Sequence, residues 1–348
     1  MENQIYKYKG DLQLEAGGKL KDISIAYTTY GTYKPAENNA IWICHALTAN
    51  SEVSIWWEGL VGEGKLFDPA KHFIVCANIL GSCYGTTGPL DTNPATGQPF
   101  YFDFPNITIR DMVGVHEILR KHLGVEKIHT CIGGSLGGQQ ALEWTIIKPE
   151  LIENLVLLAT NAFHSPWGVA FNESQRMAIM ADPTWKDKSP GAGKEGLKAA
   201  RAIALLSYRN YNTYMHSQAE DSNDKFDDFK ATSYQKYQGD KLVKRFNCHS
   251  YWYLSKAMDS HNVGRNRGSI MKALSGIKTK TLAIGIKTDI LFPVTEQLFL
   301  AEHIPGASYV EIESLFGHDG FLIETEKIGK IILDFILSGE KKATPFAK

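Results

Sequence analysis

The chain has 348 residues, of which 43% are hydrophobic, 22% charged and 11% aromatic, enough for two domains or for one large domain carrying an insertion. Lys and Arg number 37 against 38 Asp and Glu, a formal net charge of −1 that offers no global field to nucleic acid or anionic lipid. Residues 1–7 lack the apolar stretch of a secretory leader, no run approaches membrane-spanning length, and the five cysteines contain no CxxC pair, so a cytoplasmic, enzymatic chain without disulfides, with no nucleic-acid or membrane partner, is expected.

Apolar runs at residues 39–44 and 72–78 read as strands, the second stopped by the glycine-rich segment 81–85. A helical pattern follows at 111–119, then a strand at 127–132, a helix at 136–147 and a strand at 152–159. Runs rich in Ile and Val, separated by helices, predict a parallel sheet covered on both faces. From about residue 163 to 265 the strand signal fades. Helical composition dominates there, at 177–180, 197–206 and 251–258, with a polar interruption at 187–193. The charged stretch 220–230 reads as a solvated helix face or loop. Strand character returns at 279–286 and 309–313, before an amphipathic helix at 328–337. The expected organisation is an α/β core of residues 1–162 plus 266–348, interrupted by a helical lid insertion at 163–265.

Gly133-Gly134-Ser135-Leu136-Gly137 matches G-x-S-x-G between a predicted strand and a predicted helix, the setting of a nucleophile elbow. A Cβ two residues either side of the serine would collide with so tight a turn. On pattern alone, a glycine-rich turn with an idle serine would read the same. A serine nucleophile needs a base, and the base needs an acid. Of 11 histidines, His318 follows the 309–313 strand after a short loop, and Asp289 lies just beyond the 279–286 strand. Taken singly, Asp289 could be a helix cap and His318 a surface loop residue. Together the order Ser135, Asp289, His318 is that of α/β-hydrolases. The oxyanion hole would use the backbone N–H groups of Leu136 and Leu47, each worth roughly 3–4 kcal/mol of barrier in a dry site. His45 reads as a loop-shaping residue. No histidine has a second ligand at metal spacing, so no metal is expected.

Further motifs are Cys44-His45-Ala46-Leu47-Thr48, Trp56-Trp57-Glu58-Gly59-Leu60, Asn78-Ile79-Leu80-Gly81-Ser82-Cys83-Tyr84-Gly85, the elbow continuing to Trp144, and Gly317-His318-Asp319-Gly320-Phe321-Leu322. By these the chain resembles the homoserine O-acyltransferase family of α/β-hydrolase-fold enzymes. The resemblance implies an α/β-hydrolase fold, a mostly parallel central sheet flanked by helices, and a ping-pong reaction. Ser135 would take an acyl group from acyl-CoA and pass it to the hydroxyl of L-homoserine, with His318 as base and Asp289 orienting it. It also implies that Arg201 recognises the homoserine carboxylate and Asp319 the amine, with Tyr208 lining the site. A zwitterion needs one cation and one anion, and a guanidinium matches a carboxylate bidentately.

Departures from the family pattern are Leu136 where methionine is usual, Asn247 where Asp is frequent, and a shorter tail. Succinyl-accepting relatives tend to carry arginine two residues after the catalytic aspartate. Here Leu291 stands there and would leave a second carboxylate desolvated, so acetyl-CoA is expected as co-substrate, with no permanently bound cofactor. The resemblance further implies a homodimer through the lid helices, where Tyr208, Tyr211, Tyr214, Tyr234 and Tyr237 could serve the contact or the lid core. Competing readings are a succinyltransferase, an ester or thioester hydrolase with the same triad, and a catalytically silent binding protein.

Overall fold

A computed structural model describes residues 4–340 apart from 223, with side chains to residue 338. The last residues of the expected core, 341–348, lie outside the described ones.

Ten strands form: β1 Gln4–Lys7, β2 Asp11–Gln13, β3 Lys19–Lys21, β4 Ser24–Tyr30, β5 Ala40–Cys44, β6 Phe73–Ala77, β7 Ile128–Gly134, β8 Ile152–Leu158, β9 Lys280–Ile286 and β10 Ser308–Ile312. Eight join one sheet in the order β1-β4-β6-β5-β7-β8-β9-β10, while β2 and β3 pair separately. From β6 through β10 every pairing is parallel, and β1 and β4 add an antiparallel edge. Parallel strands must be covered on both faces, and the side-chain alternation does this. Trp42 and Cys44 enter one apolar cluster, and Ile41 and Ile43 enter the other across the sheet.

The strands expected from residues 39–44, 72–78, 127–132, 152–159, 279–286 and 309–313 all form, with ends shifted by one or two residues. Helices Ile109–His122 and Leu136–Ile147 follow their predicted segments. The first starts at Thr108 with a capping box completed by Asp111. Between β8 and β9 run helices Pro166–Met180, Lys194–Tyr208, Tyr211–Ser217, Lys230–Val243, Cys248–Asp259 and the short Ile270–Ser275, with no strand among the described residues of that stretch. All five cysteines are free. Among the described residues no helix is long and apolar enough to cross a membrane, and no cluster of three or more His, Cys, Asp or Glu could hold a metal ion.

Candidate active site

The carboxyl ends of the parallel strands carry the site. β7 ends at Gly134, and Ser135 turns the chain into helix Leu136–Ile147 with φ 56° and ψ −126°. Positive φ in a residue with a Cβ is strained, and surrounding contacts must enforce it. The Ser135 N–H donates to Leu158 O (3.0 Å), and its carbonyl accepts from Thr160 Oγ1 (2.8 Å). The flanking glycines are sterically required: a Cβ on Gly133 would lie 2.2 Å from the Gly137 carbonyl oxygen, and one on Gly137 2.0 Å from that of Cys44.

Asp289 follows β9 and is buried. Its Oδ1 accepts from the N–H groups of Leu291 (2.8 Å) and Phe292 (2.9 Å), and its Oδ2 meets His318 Nδ1 at 2.6 Å. The carboxylate therefore fixes its own loop and the imidazole together, rather than capping the following helix. His318 sits in a single 3-10 turn, Gly317–Asp319, and stacks on Phe292 with ring centroids 5.0 Å apart. Burial alone would push its pKa down, but the charge and hydrogen bond of Asp289 hold it above the ordinary histidine value. With Nδ1 committed, Nε2 is the nitrogen left for a hydroxyl. Ser135 and His318 line one cavity of about 300 Å³ and are not hydrogen-bonded to each other there, as is common before substrate tightens such a site.

The same cavity is lined by Leu47, Arg201, Tyr208 and Asp319. The N–H of Leu136 is the first of its helix and has no intrahelical acceptor, and the N–H of Leu47 makes no hydrogen bond among the described residues. The Leu47 loop is shaped from behind by His45. The Ile79 N–H donates to His45 Nε2 (3.1 Å), so the proton resides on Nδ1, which donates to Ala46 O (2.8 Å). Burial drives the His45 pKa down to about 4, leaving it neutral.

Arg201, half-buried on helix Lys194–Tyr208, has its guanidinium carbon 5.3 Å from the Tyr208 ring centroid and no carboxylate within 4.0 Å among the described residues. Asp319 pairs with Arg209, at the end of the same helix. Sequence reasoning missed Arg209. Its signal, a second arginine directly after Tyr208, acquires meaning only when that helix docks on the His318 turn. Leu291 stands apart from the other expected residues. It is buried in the core, outside the cavity lining, and contributes its N–H to Asp289.

This sheet, elbow and Asp289–His318 pair define the α/β-hydrolase fold, and the family of that description matches residues 39–325. A homoserine O-acetyltransferase of Cyclobacterium marinum is 52% identical over 337 residues, covering 97% of this chain and 96% of the relative. The chain belongs to the homoserine O-acetyltransferase family. Solved structures agree on the fold: homoserine O-acetyltransferase from Bacillus anthracis (TM-score 0.88, 24% identity, 96% of this chain and 97% of that one) and an acetylester hydrolase from Corynebacterium glutamicum (TM-score 0.85, 24% identity, 96% of each).

Proposed function

We propose that the chain transfers an acetyl group from acetyl-CoA to the side-chain hydroxyl of L-homoserine. Ser135 Oγ attacks the thioester carbonyl as His318 Nε2 takes its proton, and the Leu47 and Leu136 N–H groups hold the oxyanion. Collapse expels the CoA sulfur, which leaves with the proton from His318. The homoserine hydroxyl then attacks acetyl-Ser135, giving its proton to His318, which returns it to Ser135 as O-acetylhomoserine departs. Asp289 keeps the imidazole in the required tautomer throughout.

The observation that carries this reading is the shared cavity: a serine, a histidine, an arginine with no acidic partner among the described residues and a carboxylate converge on it. Arg201 takes the amino-acid carboxylate and Asp319, already paired to Arg209, takes the amine, with Tyr208 as the wall between Arg201 and His318. The helices within residues 163–265 act as the lid. Among their residues Leu206, Tyr211, Met215 and Tyr237 are large, apolar or aromatic and exposed, which supports a homodimer through the lid helices, and sedimentation at micromolar concentration tests it. An acyl-CoA donor agrees with work in the cytoplasm.

Free CoA release from acetyl-CoA, followed with and without L-homoserine, tests the activity. Release that depends on homoserine is expected. Release at the same rate without it would point to a hydrolase.

A further inference from the structure

At the mouth of the cavity stands Arg245, exposed, in the connection between helices Lys230–Val243 and Cys248–Asp259. Its Nη1 donates to the Thr48 carbonyl and to the Tyr84 hydroxyl (2.6 Å). Both acceptors are neutral, and no carboxylate lies within 4.0 Å of the guanidinium among the described residues. Arg110, Arg120, Arg176, Arg209, Arg265 and Arg267 each have an acidic partner. A guanidinium has five N–H donors, and the two on Nη1 are used here. The Nε–Nη2 edge, whose two parallel donors fit two oxygens of one phosphate, makes no hydrogen bond among the described residues. Arg245 is thus held in place by contacts that leave its charge and its bidentate edge uncommitted.

Arg201 and Asp319 already answer the two charges of an amino-acid acceptor. A CoA thioester with its carbonyl at Ser135 must run its arm out through the mouth and carries its phosphates beyond it. The same cavity is lined by Ile55, 69% exposed, and Trp56, apolar surface suited to the arm. We infer that Arg245 is the phosphate anchor of the acyl donor, binding a phosphate group of the CoA thioester through its Nε–Nη2 edge. This rests on the acyltransfer reading above and adds the residue that distinguishes a phosphate-bearing donor from its bare thioester. Thr48 directly follows Leu47, so the same side chain also ties the lid to the oxyanion loop. A purely propping role is therefore the rival account.

The two are separated by comparing acetyl-CoA with S-acetylpantetheine, which keeps the thioester and arm but has no phosphate. In Arg245→Gln, kcat/KM for acetyl-CoA is expected to fall at least about tenfold more than for S-acetylpantetheine, chiefly through KM, as befits loss of one charge-assisted contact. Arg245→Lys, which keeps the charge, should recover part of that difference. Equal loss with both donors would overturn the inference in favour of a prop. The native protein offers an independent measurement should the variants not fold. Its KM for acetyl-CoA should rise with potassium chloride while that for S-acetylpantetheine stays flat, and parallel responses would again overturn the anchor. Absence of acyl transfer by the native protein from either donor would remove the acyltransfer reading and this inference with it.

Discussion

At Asp289 one carboxylate performs two tasks, and their separation is measurable. Its Oδ1 holds the Leu291 and Phe292 N–H groups while its Oδ2 holds His318. Asparagine can keep much of the loop, but it removes the charge and presents a donor to Nδ1, so the imidazole takes the wrong tautomer. Asp289→Asn should lower kcat by about ten-thousand-fold with little change in the melting temperature. The pH profile belongs to the same pair. As the proposed base, His318 must be neutral to act, and Asp289 keeps its pKa above the ordinary 6.5. Activity of the native protein should therefore rise with pH through an apparent pKa above 6.5. In the residual activity of Asp289→Asn that limb should move to lower pH, and an unmoved limb would assign it to another group. Ser135 and His318 were legible because each stands at a strand end in a chemically distinctive motif. Arg209 was not, because its pairing with Asp319 joins residues more than a hundred positions apart in sequence and leaves no local trace.

The elbow is where element geometry and chemistry meet. Gly137 lies against the Cys44 carbonyl so closely that helix Leu136–Ile147 packs directly on the end of β5. Gly137→Ala forces a Cβ to within 2.0 Å of that backbone oxygen, with no side chain to swing aside. The variant should lose roughly 1–3 kcal/mol of stability, or more, and most of its turnover, because Cys44 leads into the Leu47 loop. Urea unfolding alongside kinetics checks both, and full stability would mean that the two elements are less tightly apposed. The buried strands were readable as continuous apolar runs, since parallel strands show no polar face. By contrast β1, β2 and β3 have three or four residues each, too few for a period to show, and the Thr28 and Thr29 of β4 dilute its pattern. Helix Lys230–Val243 escaped notice because only Gly239 and Leu242 of it are buried, so its sequence carries almost no apolar stripe. Much of the 220–230 stretch before it is exposed, as its charge implied.

Across the whole molecule, buried histidines set the acid limit of stability. Burial pushes His45, His164 and His249 down to about 4 and His261 to about 3. The unfolded chain takes up protons at these sites near 6.5, whereas the fold resists them, so between pH 6.5 and 4 the unfolded state binds more protons and stability falls as pH falls. Each site contributes at most about 1.4 kcal/mol per pH unit. His116 and His318, held above 6.5, act in the opposite sense: their contribution is present below 6.5 and is lost as pH rises above it. That pair stays protonated in the fold between pH 6.5 and 4, where the opposing group is Glu296, raised to about 7 by burial, one site against the four depressed histidines. Urea midpoints should drop steadily from pH 6.5 to 4, and a flat dependence would mean that these imidazoles are already charged in the fold.

In the proposed reaction everything turns on Ser135 carrying the acetyl group between two substrates. Peptide mass spectrometry after mixing the protein with acetyl-CoA tests it directly. One added acetyl group on Ser135 is expected, discharged by L-homoserine with formation of O-acetylhomoserine. Turnover with homoserine in which Ser135 is never acetylated, or in which Ser135→Ala remains active, would contradict it.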